Sequence, residues 1–350
     1  YYNVNVTNVY GYTLEKNDNL PVYIFMSVIV AIFMGLTVSA EEIIKDRKIK
    51  KREAFLNLSW SSYLMSKVAV LTGLSAIQAF TFIIIGNSIM EIKGMYFQYW
   101  LVLFSAWVSS NLMGLVISDS FKTVVTIYIL IPFLVIPQII LSGIIVKFEK
   151  INPKISSPTS IPWYGEIITA RWAYEALATY EFINNDYQSQ FYRYDKAMSE
   201  ARFRRDYWVV EMRNRVDNIN RYKDDPEHLE SIEQNLRILK NEINKELKNN
   251  ELIPFNRMDD LTVEGLSTDV LAAVHDYLDN VRQYNVKLYN KANDVKYMLV
   301  NELQSTEDSE EEFYRIKREH NNESLEEFAK NNNTVERIIQ VKDQLYQKVD

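Results

Sequence analysis

Four stretches of this 350-residue chain contain no charged residue: Leu20 to Ala40, Val68 to Met90, Met95 to Ser118 and Thr123 to Val146, each 21 to 24 residues long. A bilayer's hydrocarbon core is ~30 Å thick and a helix rises ~1.5 Å per residue, so about 20 apolar residues cross it. The four stretches read as four membrane spans, and a soluble enzyme is excluded. Bulk composition hides this, because 47% apolar and 24% charged residues make an ordinary soluble mixture. Dividing the chain at Val146 exposes it. The first part carries 10 Lys+Arg against 8 Asp+Glu, net +2, and the second 29 against 38, net −9, together the −7 of the whole.

The absence of cysteine removes thiol catalysis and cysteine-based zinc sites. The chain opens at Tyr1, without Met and without a basic-then-apolar leader, which reads as a fragment of a longer membrane protein. The expected organisation is an outer loop over 1–19, spans within 20–146 including a cytoplasmic loop over 41–61, an interfacial aromatic segment over 147–183, and a helical extracytoplasmic domain over 184–350. The expected fold class is therefore all-α: a polytopic membrane bundle followed by a long, coiled-coil-like outer domain.

Orientation follows from the first loop, where Lys45, Arg47, Lys48, Lys50, Lys51 and Arg52 fall within eight residues. Short loops dense in Lys and Arg stay cytoplasmic. That puts residues 147–350 outside a plasma membrane or a bacterial inner membrane. Inside the spans the strongly polar residues are few, with Gln78, Asn111 and Gln138 deepest. No carboxylate or histidine lies there, so ion-coupled transport by the spans alone is not expected. Pro132 and Pro137 interrupt the fourth stretch, where each removes a backbone donor and bends a helix. Gln78, Asn111, Pro132 and Gln138 are the candidates for a translocation path.

Two local patterns carry a family resemblance. The first runs Glu42-Ile43-Ile44-Lys45-Asp46-Arg47, continues through Lys51-Arg52-Glu53-Ala54 and Leu58-Ser59, and ends in Ser62-Tyr63-Leu64-Met65-Ser66-Lys67. The second is Leu141-Ser142-Gly143, then Pro162-Trp163, then Ala170-Arg171-Trp172-Ala173-Tyr174-Glu175-Ala176-Leu177. In order and spacing, over about residues 20–183, they resemble the permease region of type-2 ATP-binding-cassette exporters, the G subfamily and its bacterial relatives.

The resemblance implies that the four spans are the second to fifth of six, with one before Tyr1 and one after Asp350. It implies a dimer, homo- or heteromeric, driven by a nucleotide-binding domain that binds ATP with Mg. No Gly-x4-Gly-Lys-Ser/Thr cradle occurs in this chain, so no enzymatic site is expected in it. Glu42, Arg47, Arg52 and Glu53 become the expected coupling contacts with that domain, and Ser142, Gly143, Arg171, Trp172 and Glu175 the expected outer gate or re-entrant element. From the residues alone, a helix of alternating charge under a membrane must meet water or another protein. A plain headgroup contact is the competing reading. The chain departs from the family after residue 183, where a short outer loop is replaced by a long charged segment.

That segment has helical spacing. Val209, Met212, Val216 and Ile219 make one apolar stripe, and Leu229, Ile232, Leu236, Leu239 and Ile243 the next. Asp225-Pro226-Glu227 between them is a helix start, so the two helices are expected to fold back as a hairpin. A third helix, opened by Ser267 to Asp269, carries Leu271, Val274, Leu278, Val281, Leu288, Val295 and Leu299, with Asn285 and Ala292 in the same seam; an Asn there would fix register. The acidic run from Glu307 to Glu312 reads as a solvated first helical turn. His228, His275 and His320 lack paired spacing, so no metal is expected. The basic cluster Arg202, Arg204 and Arg205 is too small, in a net −9 region, to expect nucleic acid. Asn5, Asn322 and Asn332 fit the glycosylation pattern.

The expected function is the transmembrane part of an ATP-driven exporter working by alternating access. The rival is a membrane-anchored receptor or scaffold whose helical ectodomain binds a partner.

Overall fold

The computed structural model describes residues 12–52, 59–148, 151–152, 155–156, 160–250, 252–330 and 338–347. Glu53, Asn5 and Asn332 fall outside the described residues. Contacts divide the chain into two units: Tyr1–Ser189 with Glu311–Lys330, and Gln190–Glu310 with Asn331–Asp350.

In the first unit α1 (Leu20–Ser39) is the central post, buried on most of its circumference. It packs most extensively on α4 (Tyr96–Ser120) and also touches α3 (Trp60–Met90), α5 (Val124–Ile140) and α7 (Thr169–Asn184). Small residues set the α1–α4 spacing. A Cβ at Gly35 would lie 2.7 Å from the Trp107 carbonyl oxygen and 2.8 Å from Ser110 Cβ, and one at Gly114 would collide with the Ser39 hydroxyl. Without lipid-excluding pressure between apolar helices, such close backbone approach supplies the packing. α3 buries only Leu71, Ser75, Ala79, Ile83 and Asn87, one residue every four. Its remaining faces are exposed and apolar, Val70, Ile77, Ile85 and Ile89 among them.

Among the described residues three helices of 25 residues or more are apolar enough to cross a membrane: Leu20–Arg52, taken through the break after Ser39, Trp60–Met90 and Tyr96–Ser120. In the fourth charge-free stretch the helix is shorter than the apolar run. Its helix, α5, has 17 residues, about 26 Å at ~1.5 Å per residue, at the short end of what crosses a bilayer. The chain leaves the helix at Leu141, and Gly143 takes φ 81°, a left-handed backbone that favours glycine. Apolar composition continues to Val146, but the hydrogen-bond ladder stops after Pro137 accepts from the Leu141 amide.

Beyond the turn lie α6 (Trp163–Glu166) and α7, the aromatic segment. Trp163 is 76% exposed, whereas Tyr174 is buried edge-on against Phe25 and Phe328. Residues 311–330, which carry the end of α12 (Glu307–His320) and all of α13 (Glu323–Lys330), belong to this unit. Asn322 fastens them, its amide donating to the carbonyls of Leu14 and Asn17 at 2.8 Å each. Lys93 pairs with Glu319 at 2.9 Å and Lys317 with Glu15 at 2.9 Å. The glycosylation pattern at Asn322 thus falls on a buried side chain whose donors are engaged.

The second unit is built on α9 (Val209–Tyr222), α10 (Leu229–Asn249) and α11 (Thr268–Leu303), with α8 (Gln188–Phe203) leading in through a π-helical turn at Arg204–Trp208. The stripes lie in its core: Val209, Met212, Val216 and Ile219 meet Ile232, Leu236, Leu239 and Ile243, with Leu271, Val274, Leu278 and Val281 against them. Asp225 caps the turn before α10, accepting from the Glu227 amide, and Ser267 caps α11, accepting from Val270. Two expectations change. Leu229 and Leu288 are exposed, so each stripe is shorter than its spacing implied. Asn285 donates to the Val281 carbonyl one turn back, which satisfies it within its own helix, so it pins no register.

The fold is not purely helical. Ile338–Val341 (β1) pairs antiparallel with Gln344–Gln347 (β2). A lone hairpin is marginal in water. This one is anchored because Leu345 is buried and its amide donates to Glu242, which also accepts from Trp208 Nε1 at 3.0 Å. The basic cluster is spent on ion pairs, Arg204 with Glu246 and Arg202 and Arg205 with Asp206. Each histidine sits beside one aspartate: His228 with Asp225, His275 with Asp217 and His320 with Asp186.

Candidate functional site: a charged helix fastened to the bundle

Helix α1 ends at Ser39, and the chain re-enters helix at Glu42 as α2 (Glu42–Arg52). In a continuous helix the amides of Ile43 and Ile44 would donate to the carbonyls four residues back. Here both donate to Ser118 Oγ, at 3.0 and 3.1 Å. Ser118 is wholly buried near the end of α4, so one hydroxyl satisfies two of the donors that a helix start leaves unpaired. Arg47 completes the attachment by donating to the carbonyls of Ser118 and Asp119, acceptors at the negative end of the α4 dipole. Ile43 is buried with Leu71 and Leu115.

The other side of α2 meets the start of α3. Lys67 Nζ lies 2.8 Å from Glu42 and 2.9 Å from Asp46, and the Tyr63 hydroxyl donates to Asp46 at 2.8 Å. Lys50 sits 3.4 Å above the Trp60 ring. Of the expected coupling residues, Glu42 and Arg47 are therefore engaged within the chain. Arg52 faces solvent together with Lys48, Lys51 and the half-exposed Ile49. Sequence reasoning missed Ser118 because a serine in a charge-free stretch carries no signal of its own. Lys67 was visible as the single charge at the head of α3.

The candidate path residues are not gathered at one place. Asn111 donates to Ser75 Oγ at 2.6 Å, joining α4 to α3. Gln138 accepts from the Ala170 amide at 3.0 Å, capping α7 from α5. Gln78 is half-buried on α3, and Pro132 lies on the exposed side of α5. The residues expected at an outer gate or re-entrant element, by contrast, do assemble. Buried Arg171 donates to the Gly165 carbonyl at 3.2 Å, to Glu166 at 2.8 Å and to Glu175 at 2.6 Å, and its guanidinium stacks 4.0 Å from the Trp172 ring. The Phe148 ring fills the space that a Cβ would need at both Gly143 and Gly165. Ser142 donates to the Ile139 carbonyl at the end of α5. The turn, α6 and α7 thus form one locked element.

One residue of α7 escaped notice. Glu181 is 3% exposed, and burial pushes its carboxyl up to about 7. The Tyr99 hydroxyl of α4 faces it, yet neither Glu181 Oε2 nor Tyr99 Oη makes a well-formed hydrogen bond. The spacing Ala170, Tyr174, Leu177, Glu181 puts the carboxylate on the buried stripe of α7, which is the sequence signal that would have found it.

Comparison with known proteins gives this arrangement a family. Residues 2–182 match the family described as ABC-2 type transporter. Over 173 residues the chain is 25% identical to an ABC transporter G family member STR of Medicago truncatula, covering 49% of this chain and 20% of that protein. Over 167 residues it is 28% identical to the protein of the same description from Petunia hybrida, covering 47% and 19%. The chain therefore spans about a fifth of the length of these curated relatives. No solved structure matches it. With the family match covering residues 2–182, more than half of 350, the chain belongs to the ABC-2 type transporter family.

Proposed function

We propose that this chain is the membrane-spanning part of an ATP-driven exporter. In this reading two copies, or one copy and a related subunit, alternate between inward and outward openings, and a nucleotide-binding domain supplies the drive. Family membership supports the transporter class, as does the G family relatives' likeness. ATP and Mg belong to the nucleotide-binding domain, since this sequence has no phosphate cradle. The basic loop supports a cytoplasmic α2, with the second unit on the opposite side of a plasma or bacterial inner membrane.

The observation that carries the reading is α2 itself. It is attached to the ends of α3 and α4 by one face and presents Lys48, Ile49, Lys51 and Arg52 on the other. A charged helix so attached cannot enter lipid, and its outward face suits an acidic docking surface with a small apolar footing. The test uses the full-length protein with Arg52→Glu. Folding and membrane insertion remain normal while transport per ATP hydrolysed falls severalfold; undiminished transport by a normally expressed variant would leave α2 a headgroup contact. The receptor reading draws on the separate core of the second unit, and it requires that partner binding persist where no ATP-dependent substrate movement occurs.

A further inference from the structure

We propose that Ser118 and Arg47 are positioning residues that make α4 the helix through which movement of α2 enters the bundle. The inference rests on the exporter reading for its function, while the attachment itself is a property of the fold.

At the junction of α1 and α2 the helical ladder is interrupted. The Ile43 and Ile44 amides have left it for Ser118 Oγ, and the Ala40 amide closes α1 by donating to Leu36. The junction with α1 therefore lacks the bonds that would make the two helices one rod, and bending there costs little. The bond from the Ile43 amide to Ser118 is buried and that from Ile44 is partly so. Losing the acceptor would strand the Ile43 donor away from water and leave Ile44 without its partner, so the joint between α2 and α4 resists separation. Arg47 adds charge-assisted bonds to two carbonyls at the end of α4, that to Ser118 part-buried and that to Asp119 exposed, so the buried Ile43 bond is what sets this joint apart.

The link from α2 to α3 is of another kind. Lys67, Glu42 and Asp46 are each partly open to solvent, so water can substitute for their pairing at low cost. Beyond the joint, α4 meets α1 at Gly35 and Gly114 with no slack, and such packing passes a displacement on without absorbing it. A push on the outward face of α2 is thus delivered to α4 first and to α1 through α4.

The experiment compares full-length wild type, Ser118→Ala, Ser118→Thr and the pair Arg47→Gln and Arg47→Lys, each reconstituted in lipid. Hydrogen exchange over residues 41–47 reads the joint directly. Removing the hydroxyl is expected to speed exchange there on the order of tenfold, the loss of one buried hydrogen bond, with exchange over 124–140 unchanged. The functional readout is substrate transported per ATP hydrolysed. It falls severalfold in Ser118→Ala and Arg47→Gln with basal ATPase retained, and recovers in Ser118→Thr or Arg47→Lys, a split that general destabilisation does not produce. Unchanged exchange in Ser118→Ala would overturn the joint. Faster exchange with an unchanged transport ratio would overturn its role in coupling. Should wild type itself show no ATP-dependent transport, the exporter reading falls, and the exchange measurement still decides whether α2 is fastened to α4.

Discussion

Glu181 offers a quantitative test of the α7 packing. Its carboxyl rises from the ordinary 4.5 to about 7 because it is buried, with Tyr99 acting weakly in the opposite sense. Among the described residues Tyr99 of α4 is the titratable group set against it, and no charged side chain of α1, α5, α6 or α13 acts on it. The shift from 4.5 to about 7 corresponds to roughly 3 kcal/mol at ~1.4 kcal/mol per pH unit. The folded-state value lies above the unfolded one, so the neutral carboxyl's contribution is complete below about pH 4.5 and is lost as pH rises through about 7. Stability should therefore fall by about that amount across this window and level off above it. Glu181→Gln keeps the size and the neutral state, and removes the titration. Denaturant unfolding of detergent-solubilised protein between pH 4.5 and 8, wild type against variant, isolates this group because every other titration is common to both. The variant should gain roughly 3 kcal/mol on wild type between the two ends. Parallel curves would refute the burial argument, and a variant less stable than wild type at pH 8 would show that the ionised carboxylate has a partner.

Two further outcomes concern the second unit and the membrane topology. Leu236→Asp places an unpaired charge in the core shared by α9, α10 and α11 and should cost about 3–5 kcal/mol, read as loss of protection in amides of all three helices. Because the chain has no cysteine, single cysteines at Lys48 and Lys248, both exposed, report sidedness cleanly. A membrane-impermeant thiol reagent on intact cells should label the second and spare the first, and labelling of the first alone would reverse the orientation.

Much of the architecture was legible from local pattern. Charge-free length identified the apolar helices, since the cost of placing charge in lipid acts on any segment regardless of its neighbours. The 3,4 spacing located α9, α10 and α11, and Asp225 and Ser267 marked two of their starts, because capping is settled within three residues. Where a stretch is apolar all round, however, sequence carries no face. α3 presents similar residues to the core and to its exposed side, and only packing against α1 and α4 chose the line from Leu71 to Asn87. The end of α5 at Ile140 was hidden for the same reason, since apolar residues continue through the turn that Gly143 permits.

The candidate site divides along the same boundary. That residues 42–52 form a charged helix, and that Arg171 and Glu175 stand one turn apart on another, follows from spacing alone. Which of those charges remain free was decided by partners far away in the chain: Ser118 lies 75 residues from the amide of Ile43 that it accepts, and Lys67 stands 25 from Glu42. The Ile338–Val341 hairpin escaped because Lys342-Asp343 lacks the Gly or Asn that usually marks so tight a turn; its strands persist through Leu345 and Glu242, a contact 103 residues apart. Local propensity acts over a few residues, whereas a buried polar group must find its partner wherever the fold brings one, and that assignment belongs to the tertiary structure alone.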